Sequence, residues 1–132
     1  MNKNFLSIAS LLGALSVALG AFGAHKLKEV LPIDFLTVFE TGVRYQFYHV
    51  FALFLVAILH ERFQNKWMQW AGNCFIIGII LFCGSLYALT VLRMTDTTGT
   101  KYAGIITPFG GLFLIAGWLF LLAGITRNEP KI

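Results

Sequence analysis

Charge is nearly absent from four stretches of the chain and concentrated between them. Residues 5–24 form an uncharged run of 20, residues 67–92 one of 26 and residues 102–126 one of 25. A shorter run, residues 45–59, contains His49. A hydrocarbon core needs about 20 apolar helical residues, and lipid obliges each backbone polar group to pair within its own segment. The pattern therefore predicts an all-α fold: a four-helix transmembrane bundle, one integral membrane domain over residues 1–132, with helices over about 5–25, 34–60, 67–92 and 108–126. The second helix starts just after Pro32, and Thr107-Pro108 reads as N-cap and first position of the fourth.

Composition agrees, with 58% hydrophobic and only 12% charged residues, where soluble domains carry roughly 25%. Residues 5–24 also resemble a secretory signal peptide, with Lys3 before the run and Ala21 and Gly23 near its end. The run exceeds the roughly 7–15 residue signal core, and a further membrane hairpin follows it, so a retained span is expected. The net charge of +4 is spread over every connecting segment, with no cluster able to track a phosphate backbone. Nucleic acid is thus not an expected partner. Cys74 and Cys83 lie nine apart on one predicted helix, roughly 13 Å along its axis, and cannot bridge.

Four spans place the N-terminus, the 60–66 loop and the C-terminus on one side and the 25–34 and 93–101 loops on the other. Each side carries five cations: Lys3, Arg62, Lys66, Arg127 and Lys131 against Lys26, Lys28, Arg44, Arg93 and Lys101. The positive-inside rule therefore ties. Removing Arg44, if it is neutralised inside the bundle, tips the balance toward cytoplasmic termini.

The two sides differ chemically. The terminal side offers the aromatic and cationic belt of an ordinary membrane protein, including Lys66, Trp67, Trp70 and Arg127. The loop side gathers His25, the start of the second helix, Ser85 and Tyr87, and the start of the fourth helix with Gly110 and Gly111. At 100° per residue, Glu40, Arg44, Thr37, Tyr48, Thr41, Tyr45 and His49 cover about half of the second helix's circumference. Ionisable groups at membrane depth suggest a functional site, and this face is expected to turn toward the other helices. The alternatives stay open: Arg44 can snorkel to the headgroups with Glu40 as its surface partner, and His49 can be a neutral core imidazole. His25 with His49 would suit haem or a metal, but no third ligand stands at a recognisable spacing. No cofactor or metal is expected.

Small residues carry a packing signal. Gly110, Gly117 and Gly124 recur every seven residues, as do Gly13 and Gly20, and Ser10, Ala14 and Ala18 every four. Such stripes let membrane helices approach closely, within one protomer or, as the alternative, along an oligomer seam. Residues 94–101 form the one loop of turn-like polar composition and suit a lid over the second helix. No nucleophile elbow, HExxH, CxxC or phosphate loop is present, and no internal repeat supports a transporter fold.

Gly20-Ala21-Phe22-Gly23-Ala24-His25, Thr41-Gly42-Val43-Arg44-Tyr45-Gln46-Phe47-Tyr48-His49, Gly84-Ser85-Leu86-Tyr87 and Ile106-Thr107-Pro108-Phe109-Gly110-Gly111, followed by Gly117-Trp118, resemble the domain of unknown function 423 family. These are small four-span bacterial inner-membrane proteins, to which the eukaryotic transmembrane protein 256 is similar. The resemblance covers nearly the whole chain and implies a multi-pass inner-membrane protein; it implies no activity.

The expected working surface is a polar pocket of His25, Glu40, Arg44, Tyr45, Gln46, Tyr48, His49, Ser85, Tyr87, Thr107, Gly110 and Gly111, taking a lipid, a small molecule or a partner subunit without catalysis. The alternative is a transport or proton pathway through Glu40, Arg44 and His49. An enzyme ranks third, since a Tyr, His and Glu set suits acid–base work but lacks a diagnostic nucleophile or metal set.

Overall fold

The computed structural model describes residues 1–95 and 99–127. Among these, four helices are long and apolar enough to cross a membrane: α1 (Lys3–Val30), α2 (Ile33–Leu59), α3 (Lys66–Met94) and α4 (Thr100–Thr126). No strand occurs among the described residues. Much of the lid expected at 94–101 lies in 96–98, outside them.

Local chemistry sets several boundaries. Asn2 accepts a hydrogen bond from the Phe5 amide at 3.1 Å, and Asn65 one from the Met68 amide at 3.1 Å, each satisfying an amide that has no partner inside its helix. Leu31, ahead of Pro32, is extended, because the proline ring disfavours helical backbone before it. That break separates α1 from α2. Gly99 opens α4 at φ 137°, a conformation that glycine adopts without a Cβ penalty.

Two helices run further than the sequence pattern predicts. α1 continues past residue 25 through a π-helical turn, Gly23–Leu27, which leaves both Gly23 and Leu27 buried against α2. α4 begins at Thr100 rather than at residue 108, so Thr107 is not an N-cap and Pro108 lies inside the helix. The physical reason is the solvent: irregular chain has no place facing lipid, so the uncharged residues 102–107 stay helical. Pro108 has no amide to offer the carbonyl four residues back, and membrane helices tolerate such a defect.

α2 and α3 form the middle of the bundle, with α1 packed chiefly on α2 and α4 chiefly on α3. Half of α2's most apolar stretch is buried, against 17% for α1 and 22% for α4. The outer two helices therefore give most of their apolar surface to lipid. The principal core joins Phe5 of α1, Leu53 and Val56 of α2, Met68, Phe75 and Ile79 of α3, and Leu114 and Leu121 of α4. A smaller one, Leu27, Leu36, Phe39 and Val43, closes the loop-side end between α1 and α2.

The glycines of α4 form an internal seam. A Cβ on Gly110 would fall on the backbone of Phe82, and one on Gly117 would lie 2.6 Å from the Phe75 ring. Gly124 faces Met68. Close backbone approach of this kind holds apolar helices together where lipid removes any hydrophobic drive between them. On α1 the stripes diverge: Gly13 and Gly20 meet Val50 and Val43 at ordinary contact distance, while Ser10, Ala14 and Ala18 face outward.

Candidate functional site

Packing divides the polar residues of α2 among three surroundings. Glu40, Arg44 and Tyr48 lie on the exposed side, and among the described residues the ion pair formed is that of the amino terminus with Glu61, at 3.7 Å. The wheel's expectation of one inward polar face is corrected accordingly. α2 buries Phe39, Gly42, Val43, Gln46, His49 and Val50 instead: Gly42 lets the Tyr87 ring of α3 come close, and Gln46 and His49 find their hydrogen-bond partners within the bundle. His25 is also exposed, on the π-helical turn of α1.

Gln46 faces α1 and the loop-side half of α3. Its amide nitrogen donates to the Leu12 carbonyl at 2.9 Å, and its amide oxygen accepts from the Tyr87 hydroxyl at 2.6 Å. The Ser16 hydroxyl donates to the same Leu12 carbonyl at 2.8 Å. This chain of bonds ties three helices and satisfies a side chain that is only 3% exposed, as burial requires. Ser85 and Thr107 join α3 to α4 through a hydrogen bond between their hydroxyls, 2.6 Å apart; whichever of the two accepts it keeps its own hydrogen for a carbonyl of its own helix, Ser85 for that of Phe82 or Thr107 for that of Ala103. These residues hold helices together, and Gly110 is consumed in the α3–α4 seam.

Tyr45, His49 and Gly111 come together on a cavity of about 380 Å³ between α2, α3 and α4, also lined by Phe82, Leu114, Ile115 and Trp118. His49 Nδ1 lies 2.7 Å from the Tyr45 carbonyl, and its Nε2 lies 3.2 Å from the Trp118 indole nitrogen. A carbonyl only accepts and an indole N–H only donates. Nδ1 therefore carries the proton and Nε2 accepts, so the imidazole is neutral and both nitrogens are committed to protein partners. The paired-histidine arrangement considered for haem or a metal is not formed. No group of three potential ligands gathers among the described residues.

Aromatic rings build the walls. The His49 and Trp118 rings meet edge to face at 6.0 Å, Phe75 packs 5.3 Å from Trp118, and Tyr45 packs 5.0 Å from Phe82, within the usual range of aromatic pairs. Phe82 belongs to a second π-helical turn, Ile79–Cys83, a feature common at functional sites. His49 stands ten residues from the Leu59 end of α2, roughly 15 Å along the axis and so near the middle of a roughly 30 Å core. The rim is open sideways: Tyr45 is 38% exposed, Trp118 45% and Ile115 58%.

Sequence reasoning did not select Phe82 or Trp118. Trp118 carried a usable signal. Membrane tryptophans favour the interfaces, whereas this one stands eight residues inside the end of α4, where its N–H must find a partner within the bundle. Phe82 carried none, since the π-helical turn that aims it leaves no mark in apolar periodicity.

The chain matches the family described as protein of unknown function (DUF423) over residues 19–111. It is 39% identical over 117 residues to the UPF0382 membrane protein YwdK of Bacillus subtilis, covering 88% of this chain and 90% of that one. The UPF0382 inner membrane protein YgdD of Escherichia coli K12 is 33% identical over 132 residues, with 99% and 96% covered. A UPF0382 membrane protein of Haemophilus influenzae is 37% identical over 129 residues, with 98% of each chain covered. No solved structure matches. With four membrane-length helices and relatives that align from end to end, the chain belongs to the UPF0382 (DUF423) family of multi-pass bacterial inner-membrane proteins.

Proposed function

We propose that this protein is a non-enzymatic binding bundle whose lateral cavity takes up a small lipid-soluble molecule. The cavity between α2, α3 and α4 carries this reading, because its volume of about 380 Å³ falls in the roughly 300–1,000 Å³ range of small-molecule sites. Its exposed rim lies at mid-depth and faces lipid rather than water, so a ligand enters from the bilayer. Aromatic and aliphatic walls suit a flat or unsaturated body. The Tyr45 hydroxyl has no hydrogen-bond partner among the described residues, so it is available to one carbonyl or hydroxyl of the guest. The binding surface expected at the helix ends thus moves to the membrane interior, keeping Tyr45, His49 and Gly111. Glu40 and Arg44, on the outer surface, lie on no common route with His49, and transport draws no support from this geometry.

Native mass spectrometry of the protein released from its own lipids tests the proposal. A Cβ on Gly111 would make only ordinary contact with the Phe82 ring, at 3.8 Å, so Gly111→Leu should fold while filling the cavity. Wild type is expected to retain a small molecule that Gly111→Leu loses. Retention unchanged by the substitution, or no small molecule on wild type, overturns the proposal.

A further inference from the structure

We infer that the terminal-side end of the α3–α4 seam binds an anionic phospholipid, with the headgroup phosphate between Lys66 and Arg127 and an acyl chain in the groove beside them. Lys66 Nζ lies 5.2 Å from the Trp67 ring centre and 5.3 Å from that of Trp70, and the Arg127 guanidinium lies 5.0 Å from Trp67. Both cations are therefore held over one indole, within about 10 Å of each other. Among the described residues no carboxylate lies within 4.0 Å of either: Glu61 takes the amino terminus, and Glu29, Asp34 and Glu40 belong to the opposite end of the bundle. Two like charges held this close repel each other, and an anion between them relieves the repulsion. Cation–π contact orients the cations but supplies no counter-charge.

The apolar half of the site adjoins the charged half. Phe120 packs 5.9 Å from Trp67 and 5.5 Å from Trp70, and it also closes one end of a groove of about 270 Å³ lined by Cys74, Leu112, Phe113 and Ala116. From Phe120 to Leu112 the groove follows α4 for eight residues, roughly 12 Å into the hydrocarbon. A cationic pair at headgroup level, tryptophans at the interface and an apolar channel leading inward match one molecule that carries a phosphate and a hydrocarbon chain. This site shares no lining residue with the His49 cavity and stands independently of it.

The test uses the full chain in nanodiscs of equal parts phosphatidylglycerol and phosphatidylcholine, with retained lipid read by native mass spectrometry. Wild type should retain phosphatidylglycerol about tenfold over phosphatidylcholine, given the attraction of each basic residue for an anionic surface. Lys66→Gln with Arg127→Gln should bring the ratio to parity, and Lys66→Arg with Arg127→Lys should keep it. Ala116→Leu, which fills the groove and leaves both charges, should lower phosphatidylglycerol retention severalfold. It also keeps the proposal testable if the charge variant fails to fold. Glycerol phosphate, the same anion without chains, should not compete at the lipid's concentration. Parity in wild type, a ratio unmoved by the charge variant, unchanged retention in Ala116→Leu, or displacement by glycerol phosphate overturns the inference.

Discussion

Adjacent residues in this bundle can have opposite roles, and Gly110 and Gly111 are the sharpest case. Gly110→Ala should destabilise the detergent-solubilised protein by roughly 1–3 kcal/mol or more, because the added Cβ lands on Phe82 backbone that cannot rotate away. Gly111→Ala should leave thermal unfolding nearly unchanged. A second contrast separates buried from exposed polar pairs. A double-mutant cycle of Gln46→Leu and Tyr87→Phe should show a coupling of at least about 0.6 kcal/mol, the average for hydrogen bonds between membrane helices, whose maximum is about 1.7 kcal/mol. The cycle of Glu40→Gln and Arg44→Gln should show none, since the pair is exposed and forms no ion pair. Coupling at Glu40 and Arg44 equal to that at Gln46 and Tyr87 would restore the inward polar face. At this scale the sequence identified Tyr45, His49 and Gly111 as chemistry worth watching, but it grouped them with His25, Glu40 and Arg44. A wheel orders residues around an axis without saying which arc meets a neighbour.

At the scale of the element, the existence and order of the helices were legible in charge and apolarity. The divergence lay in α1 and α4, where the residues that looked like boundaries, His25 and Pro108, fall inside helices. Pro108 is a boundary signal in water that loses force in lipid, where leaving the helix costs unpaired backbone; α1 continues past His25 through the π-helical turn that buries Leu27 against α2. The α4 glycine seam was legible as a period of seven; its partner helix was not. Replacing Gly117 by Leu should separate α4 from α3, since a Cβ there already lies 2.6 Å from the Phe75 ring. The expected readout is a lowered melting temperature together with faster proteolysis of the α4 end. Wild-type stability in that variant would mean that α4 packs on another face.

For the whole molecule, the open question is which end faces the cytoplasm. Arg44 is exposed rather than neutralised inside the bundle, so the positive-inside count stays tied at five cations a side. Cytoplasmic termini remain the expectation only because Arg44, eleven residues past Ile33, stands deeper in its helix than the other loop-side cations. Cysteine introduced at Gln64 or at Lys101, both exposed, in a chain whose Cys74 and Cys83 are replaced, reports this directly. An impermeant maleimide on intact cells should label position 101 and spare position 64. The reverse pattern reverses the orientation. Gln64 is the better probe than Asn65, which caps α3 and also donates to the Gly124 carbonyl at 3.0 Å.

The sequence by itself determined the solvent, the helix count and the chain order of the spans, because each follows from the free energy of placing charge and unpaired backbone in hydrocarbon, a property readable one segment at a time. It also determined that Cys74 and Cys83 remain free thiols, through the rise of a single helix. Only the tertiary structure decided which arc of α2 is inner, that His49 is held between Tyr45 and Trp118, and that Phe120 links a cation pair to a groove. Each of these depends on where a second helix lies, and that is set by contacts between helices that no single segment contains, such as Gly23 with Phe39, Gly42 with Tyr87 and Gly117 with Phe75.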